Sequence, residues 1–357
     1  MKSYAFIMAG GAGERFWPVS RMSRPKQLLR LSRPDLSLLE EAVARVVPLF
    51  GKENVFIATG KSVELPIRES GAVAPENVWV EPLKRNTLGC LCWAAANLRA
   101  RHEDNVGMAI VTADHLISPE EPFRVCIRLA LETAQKTGAL VTIGIQPTRP
   151  ETGFGYIELD PATETSDGVF DALSFREKPD VDTARSFLAS GNFRWNSGMF
   201  FWTLNDFLRE LQAAQPEAFA ATGRIADALR QNDIEAAERH FADLPNISID
   251  FSVMEKASKV AVVSSRFDWD DVGSWDAIER SFPADGEGNV IYGEAITIDA
   301  QSNIVYNDSS KGLVTVLGVQ GMLVVVTDDA VMVCPKSDAQ RVKEIVQALK
   351  DRRPELT

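Results

Sequence analysis

The sequence predicts an α/β protein: a doubly wound, mostly parallel sheet followed by a small β-rich C-terminal domain. Three observations lead there. Apolar, β-branched runs alternate with helical patterns through the first half of the chain, as in strand–crossover–strand units whose sheet is covered on both faces. The segment PADGEG at 283–288 is rich in turn formers and marks a change in composition. Beyond it come short β-type runs and one amphipathic pattern. These divide the chain into a large domain at 1–283 and a small one at 284–357.

The elements follow in order. Strands are predicted over residues 4–9, 55–58, 78–81, 107–111 and 139–145, with helices over 38–49, 88–101 and 122–137 between them. The middle of the chain is less regular. Residues 153–160 and 172–175 read as antiparallel strands about a turn at 163–168, and 195–202 as a further strand. Helices are predicted over 204–214, 216–230 and 234–244, before an apolar run at 260–263. Past the linker, strands are expected at 289–292, 295–298, 303–306, 313–317, 322–326 and 331–334. A last helix over 338–349 would use Asp338 as its N-cap, with Val342, Ile345, Val346 and Leu349 on one face.

Composition narrows the function. Hydrophobic content of 45% and charged content of 25% are ordinary for a soluble globular chain. No apolar run approaches the roughly 20 residues of a membrane span. Met1 and Lys2 lead straight into a strand that Gly10 and Gly11 interrupt, unlike a signal peptide. A cytoplasmic protein with no membrane partner is the expectation. The net charge of −12 argues against nucleic acid as a partner. Cys90, Cys92, Cys126 and Cys334 form no zinc spacing or disulfide framework, and His102, His115 and His240 are scattered.

The first predicted strand empties into Gly10, Gly11 and Gly13, followed by Arg15, Pro18, Pro25 and Lys26. A glycine-rich turn at a strand end can cradle phosphate with backbone N–H groups, because a Cβ would hold the anion off. Arg15 and Lys26 add two cations suited to a polyphosphate. The loop is not a Walker motif, since no Lys-Ser or Lys-Thr closes it. Phe16 stands where a dinucleotide fingerprint needs its third glycine. In a chain this acidic, a divalent metal and local cations must overcome the global field to bind an anion.

On GG-x-G-x-R and the segments FWPVSR at 16–21 and PKQ at 25–27, the chain resembles the sugar-1-phosphate nucleotidyltransferases and, more closely, the mannose-1-phosphate guanylyltransferases. The resemblance runs through Lys336. It implies a Rossmann-like nucleotidyltransferase domain, a short left-handed β-helix at the C-terminus, and transfer of GMP from GTP to mannose 1-phosphate with release of pyrophosphate.

Further motifs carry chemistry. Asp114 follows the strand at 107–111 and stands at the sheet's ligand-binding edge, where a carboxylate suits Mg²⁺ or caps the next helix. Thr112 replaces the proline of the family's PADH-type motif. In DWDDVGSW at 268–275, adjacent aspartates repel unless a cation is near. The match to W-x-D-V-G-S-W singles out Asp271 as the inward one. Asp114 and Asp271 are therefore expected to share one Mg²⁺. Glu177 and Lys178 precede Pro179, and regular strand geometry would send their side chains to opposite faces. The resemblance assigns Glu177 to sugar hydroxyls and Lys178 to the sugar phosphate.

Asn196, in WNSGMF, offers both a donor and an acceptor for a hydroxyl, and Gly155 and Tyr156 stand in a similar segment. A strand bend with a bulge glycine is the alternative reading of either segment. The resemblance places both at the mannose site. Glu81, Asn86 and Thr87 lie in EPLKRNT, which the resemblance sets beside the guanine base. Leu88 and Gly89 replace that family's following Ala-Pro. Ser248 to Lys256 also match a family segment, with Asp250 read as a helix cap.

The resulting expectation is a Mg²⁺-dependent guanylyltransferase in which Arg15, Lys26, Asp114, Lys178 and Asp271 carry the chemistry. A nucleotidyltransferase for another NTP or sugar 1-phosphate, and a non-catalytic GDP-mannose-binding regulator, are the alternatives. The C-terminal region carries no phosphate-binding cluster. Its apolar runs, such as 322–326, need burial by its own strands, the large domain or a second subunit, and a homodimer through this domain is one arrangement that would cover them.

Overall fold

The computed structural model describes every residue except Ala12 and Pro34. Among the described residues, eleven strands precede the linker: β1 Ser3–Met8, β2 Val55–Gly60, β3 Val78–Glu81, β4 Gly107–Thr112, β5 Leu116–Ser118, β6 Leu140–Ile145, β7 Gly155–Asp160, β8 Val169–Glu177, β9 Phe193–Thr203, β10 Val260–Ser264 and β11 Asp268–Asp270. Nine of them form one sheet in the order β3-β2-β1-β4-β9-β6-β10-β8-β7. β1 is parallel to both β2 and β4, and β6 to β10, whereas β9 runs against β4 and β6. The chain walks outward from β1 to β3, then returns to β4 on the other side of β1. That reversal opens a crevice beyond the carboxyl end of β1, where the glycine loop begins.

Alternation along β1 sends side chains to two cores. Ala5, Ile7 and Ala9 pack against Leu39, Val46 and Ile127 on one face, and Tyr4 and Phe6 join Leu91, Trp202 and Phe207 on the other. The helices that cover these faces include α1 Leu38–Phe50, α2 Glu64–Glu69, α3 Asn86–Ala100, α4 Glu120–Thr137, α5 Val181–Ser190, α6 Leu204–Ala214, α7 Pro216–Arg230, α8 Ile234–Ala242 and α9 Ile249–Ser252, and α10 Asp276–Ser281 packs in a third cluster. Start signals are explicit. Ser37 and Glu40 form a reciprocal capping box on α1, and Pro216 opens α7. No helix among the described residues is long and apolar enough to cross a membrane.

The C-terminal region winds as a coil of short strands: β12 Val290–Tyr292, β13 Ala295–Ile298, β14 Ile304–Asn307, β15 Val314–Leu317, β16 Met322–Val326 and β17 Val331–Pro335. β12, β14 and β16 stack in parallel, as do β13 and β15, and β17 closes antiparallel to β16. Buried asparagines satisfy the corners. Asn303 Nδ2 donates to Asn289 Oδ1 at 2.9 Å, and Asn303 Oδ1 accepts from the Met322 amide at 2.8 Å.

The final helix, α11 Val342–Arg352, is preceded by a 3₁₀ stretch at Lys336–Arg341. Asp338 therefore does not cap the helix as its position suggested. It lies within the tighter turn, where its carboxylate faces Arg341 at 3.6 Å.

This coil shares a core with the large domain. Phe16, Trp17, Leu29, Leu31, Val272 and Trp275 pack with Ile304, Tyr306, Leu323, Val342 and Val346 in one cluster. The Trp17 indole donates to the Leu356 carbonyl at 2.8 Å, and the Trp275 indole to the Trp17 carbonyl at 3.2 Å. Arg24 pairs with Asp308, and Arg21 with Asp329. The apolar run at 322–326 is thus buried by its own coil and by the segment that follows the glycine loop.

Candidate active site

The loop after β1 is built by close approach. Gly13 has φ +70°, and a Cβ there would lie 2.3 Å from Lys26 Cβ. Only glycine lets Lys26 fold across the loop. Gln27 donates its side-chain amide to the carbonyls of Gly10 and Gly11 at 2.9 and 3.1 Å, and Ser20 Oγ donates to the Gly13 carbonyl at 2.8 Å. With its carbonyls tied from behind, the loop presents exposed Gly10 and Gly11 to the crevice. Arg15 is exposed at the rim and reaches the Gly273 carbonyl at 3.4 Å.

Lys26 is 7% exposed and joins the metal candidates. Its Nζ donates to Asp114 Oδ2 at 2.7 Å and to the Asp271 carbonyl at 2.9 Å. Asp114 and Asp271 meet because β5 and β11 form a two-stranded antiparallel ribbon, pairing Leu116 with Asp270 and Ile117 with Trp269. Asp114 enters this ribbon and Asp271 leaves it. Trp269 Nε1 donates to His115 Nδ1 at 3.0 Å, and buried Arg45 donates to the His115 carbonyl at 3.1 Å. Burial pushes His115 down to about 4, so the imidazole is a neutral acceptor in this contact.

The two carboxylates differ. Burial works against the charge of Asp114, but Lys26 prevails and holds the carboxyl below its usual range. Asp271 is pushed up to about 6 by burial, with Asp270 and Asp114 adding repulsion that Lys26 offsets in part. Asp270 faces elsewhere, paired with Arg280 at 2.7 Å. Val272, fully buried, has φ +46°, which costs on the order of 1–3 kcal/mol for a β-branched residue and turns the chain just after Asp271. An oxygen-only pair beside bound phosphates suits Mg²⁺.

A second cluster lies where β7, β8 and β9 meet. Gly155 pairs with Glu177, and Tyr156 with Trp195. Lys178 has φ +47°, so the strand breaks at that residue and Lys178 Nζ returns to Glu177 Oε1 at 3.1 Å. Regular strand geometry, which would send the two side chains to opposite faces, thus stops at Glu177, just before Pro179. Tyr156 is fully buried and its hydroxyl donates to the Glu151 carbonyl at 2.9 Å. It packs in the core behind this cluster. β9 bulges against β6 between Thr142 and Gly144, with Gly198 at φ +68°. The bulge aims Asn196 at Thr142, whose hydroxyl lies 3.2 Å from Asn196 Oδ1, and at Asp250, which accepts from Asn196 Nδ2 at 2.7 Å.

At the third corner Glu81 ends β3. Burial pushes its carboxyl up to about 7, against a lowering contact from Cys90. Asn86 has φ +55° and its Oδ1 accepts from the Thr87 amide at 2.8 Å. Thr87 Oγ1 accepts from the Ile249 amide at 2.8 Å, so Thr87 also ties α3 to α9. The Gly89 departure has a local reason, since a Cβ there would meet Arg85 Cβ at 2.3 Å.

A family model described as Nucleotidyl transferase matches residues 4–287, and one described as MannoseP isomerase/GMP-like beta-helix domain matches 293–349. The mannose-1-phosphate guanylyltransferase of Escherichia coli K12 is 36% identical over 357 residues, spanning 98% of this chain and 74% of the relative. The chain belongs to the mannose-1-phosphate guanylyltransferase family. Another relative, the alginate biosynthesis protein AlgA of Pseudomonas aeruginosa, is 35% identical across 96% of this chain and 71% of its own length. A crystal structure described as "mannose-1-phosphate geranyltransferase" from Thermus thermophilus superposes with a TM-score of 0.87 at 35% identity, covering 98% of this chain and 100% of that one. Both the sheet and the C-terminal coil are thus features of this guanylyltransferase family.

Sequence reasoning missed two residues. Gln27 was visible in the PKQ segment, but nothing in a lone glutamine signals that it pins a loop's carbonyls. Asp250 reads as a helix cap, whereas Ser248 is the cap and Asp250 faces Asn196. A spacing of 54 residues hides that pair.

Proposed function

We propose that this guanylyltransferase-family protein joins GTP and mannose 1-phosphate, giving GDP-mannose and pyrophosphate. One observation carries the reading: Lys26, folded across the glycine loop, bridges the Asp114 carboxylate and the Asp271 main-chain carbonyl, so cation, acidic residues and anion cradle form one unit. The sugar phosphate oxygen attacks the α-phosphorus of GTP and pyrophosphate leaves in line. That nucleophile is already ionised near neutral pH, so no general base is needed. Rate comes from positioning and charge stabilisation.

Each residue then has a task. Gly10, Gly11 and Gly13 hold the triphosphate through their N–H groups, and Arg15 neutralises it from the rim. Lys26 exchanges part of its bond to Asp114 for the transferring phosphate. Asp114 and Asp271 would hold Mg²⁺, whose charge, when bound, stabilises the phosphate oxygens. Lys178 receives the incoming sugar phosphate, and Glu177 and Asn196 hold sugar hydroxyls. Glu81, near Asn86 and Thr87, accepts from the N–H donors of guanine's Watson–Crick edge. GTP as substrate goes with a cytoplasmic location.

The exposed apolar side chains of the C-terminal coil support assembly as a homodimer. Ile296, Ile298 and Leu317 on β13 and β15 are 50%, 56% and 69% exposed. Pyrophosphate release, measured across four NTPs and a panel of sugar 1-phosphates, tests the activity. GTP with mannose 1-phosphate should be fastest. Equal or faster turnover of dTTP with glucose 1-phosphate would sink the assignment.

A further inference from the structure

Asp250 belongs to no motif role assigned above, yet its carboxylate stands among the sugar-site groups. It sits in the first turn of α9, which Ser248 caps and Thr87 tethers to α3. Its Oδ1 accepts from Asn196 Nδ2 at 2.7 Å. At the other end of that amide, Asn196 Oδ1 accepts from the Gly198 amide at 3.3 Å and lies 3.2 Å from Thr142 Oγ1, whose single proton has a shorter partner in the Met199 carbonyl at 2.8 Å. The Gly198 amide and Asp250 thus orient the Asn196 amide, with Asp250 half-buried at the open end. Glu177 lies close enough to repel it.

Two acceptor-only carboxylates facing one space are unfavourable unless donors enter between them. Lys178 turns back onto Glu177 and satisfies one of them. Asn196 and a backbone N–H are the protein donors that favour the charge of Asp250, while an ionised carboxylate has about four acceptor positions. Hydroxyl groups of a sugar ring are donors that would satisfy such a pair. A purely structural carboxylate would be closed off by protein donors, as Glu210 is by Ser258 and Arg209.

We propose that Asp250 is a specificity-determining residue that accepts a hydrogen bond from a hydroxyl of the sugar 1-phosphate, with Asn196 as the strut that aims it. The inference rests on the guanylyltransferase reading above and adds a sugar contact to it. It places selection among sugar epimers on a residue from α9, joined to the nucleotide corner through Thr87. The contact is charge-assisted, so its loss should be felt in the sugar's KM rather than in that of GTP.

The test is a thermodynamic cycle between protein and ligand. Asp250→Asn keeps size and shape, and folding is checked by thermal melting. Wild type and variant are assayed with mannose 1-phosphate and its 2-, 3-, 4- and 6-deoxy analogues, at saturating GTP. The variant should raise the sugar KM on the order of tenfold, leave the GTP KM unchanged, and discriminate less between mannose and glucose 1-phosphates. At one position, removing the hydroxyl should cost the wild type as much as the variant loses, and cost the variant little further. Strict additivity at all four positions, or an unchanged sugar KM in a folded variant, overturns the proposal. Since the wild-type kinetics with deoxy sugars need no variant, a uniform insensitivity to every hydroxyl overturns it as well. Failure of the parent reading is distinct: the wild-type protein would then release no pyrophosphate from GTP with mannose 1-phosphate.

Discussion

Replacing Glu81 by Gln should change stability and nucleotide binding in opposite directions with pH. The carboxyl of Glu81 is pushed from its ordinary 4.5 up to about 7, mainly by burial. A folded-state value above the unfolded one means that the folded protein prefers the protonated acid. Its contribution to stability is fully present below pH 4.5 and is lost as pH rises through about 7. Each unit is worth about 1.4 kcal/mol, so the loss by pH 8 is about 2 to 3 kcal/mol after discounting partial exposure. Denaturant unfolding of wild type and Glu81→Gln at pH 5 and pH 8 reads this directly. The variant should gain on the wild type by about that amount between the two pH values. Guanine's donors need the ionised acid, so the wild-type KM for GTP should fall about tenfold from pH 6 to pH 8, while the variant stays high and flat. A stability gap that does not move between pH 5 and pH 8 refutes the reasoning.

Four other outcomes are expected. Arg15→Ala should lower kcat about a hundredfold with no change in melting, since Arg15 is exposed and its lost contact is to a charged transition state. Lys26→Met should cost activity and also about 2 kcal/mol of stability, because it strands the charge of Asp114, and adding Asp114→Asn should restore melting without restoring turnover. Chelation by EDTA should abolish pyrophosphate release, with Mg²⁺ restoring it, and Asp271→Asn should remain folded but inactive. A chain ending at Ala284 should melt lower or aggregate and lose turnover, because Phe16, Trp17 and Trp275 lose their packing partners. Near-normal melting of that shortened chain would refute the shared core.

Much of this molecule could be read from one sequence. The helices at 204–214 and 216–230 agree residue for residue with α6 and α7, because their apolar faces are regular and Pro216 marks a start. The glycine loop was legible because its chemistry is contiguous in the chain. Elsewhere the signals were too short or too distant. β5 and β11 have three residues each and lie about 150 apart, so no periodicity announces the ribbon that joins Asp114 to Asp271. Lys178 and Val272 adopt positive φ with no residue preference to betray it, and tertiary contacts impose the turn.

The common core of loop and coil has a consequence for how the protein is made. Phe16, Trp17, Leu29 and Leu31 leave the ribosome early, but their partners Tyr306, Leu323, Val342 and Val346 arrive about 300 residues later. At 5–20 residues per second, that interval is tens of seconds during which the segment between Arg15 and Lys26 has no finished packing surface. The central sheet can assemble meanwhile from β1 to β4, whose contacts close within about 100 residues. The packing around the glycine loop is therefore completed last, and a chain stalled after β10 carries the whole sequence of the loop without the coil that packs against it. Contacts of such long sequence separation also make this the slowest region to re-form after unfolding. Recovery of activity should lag recovery of helical signal in a refolding experiment.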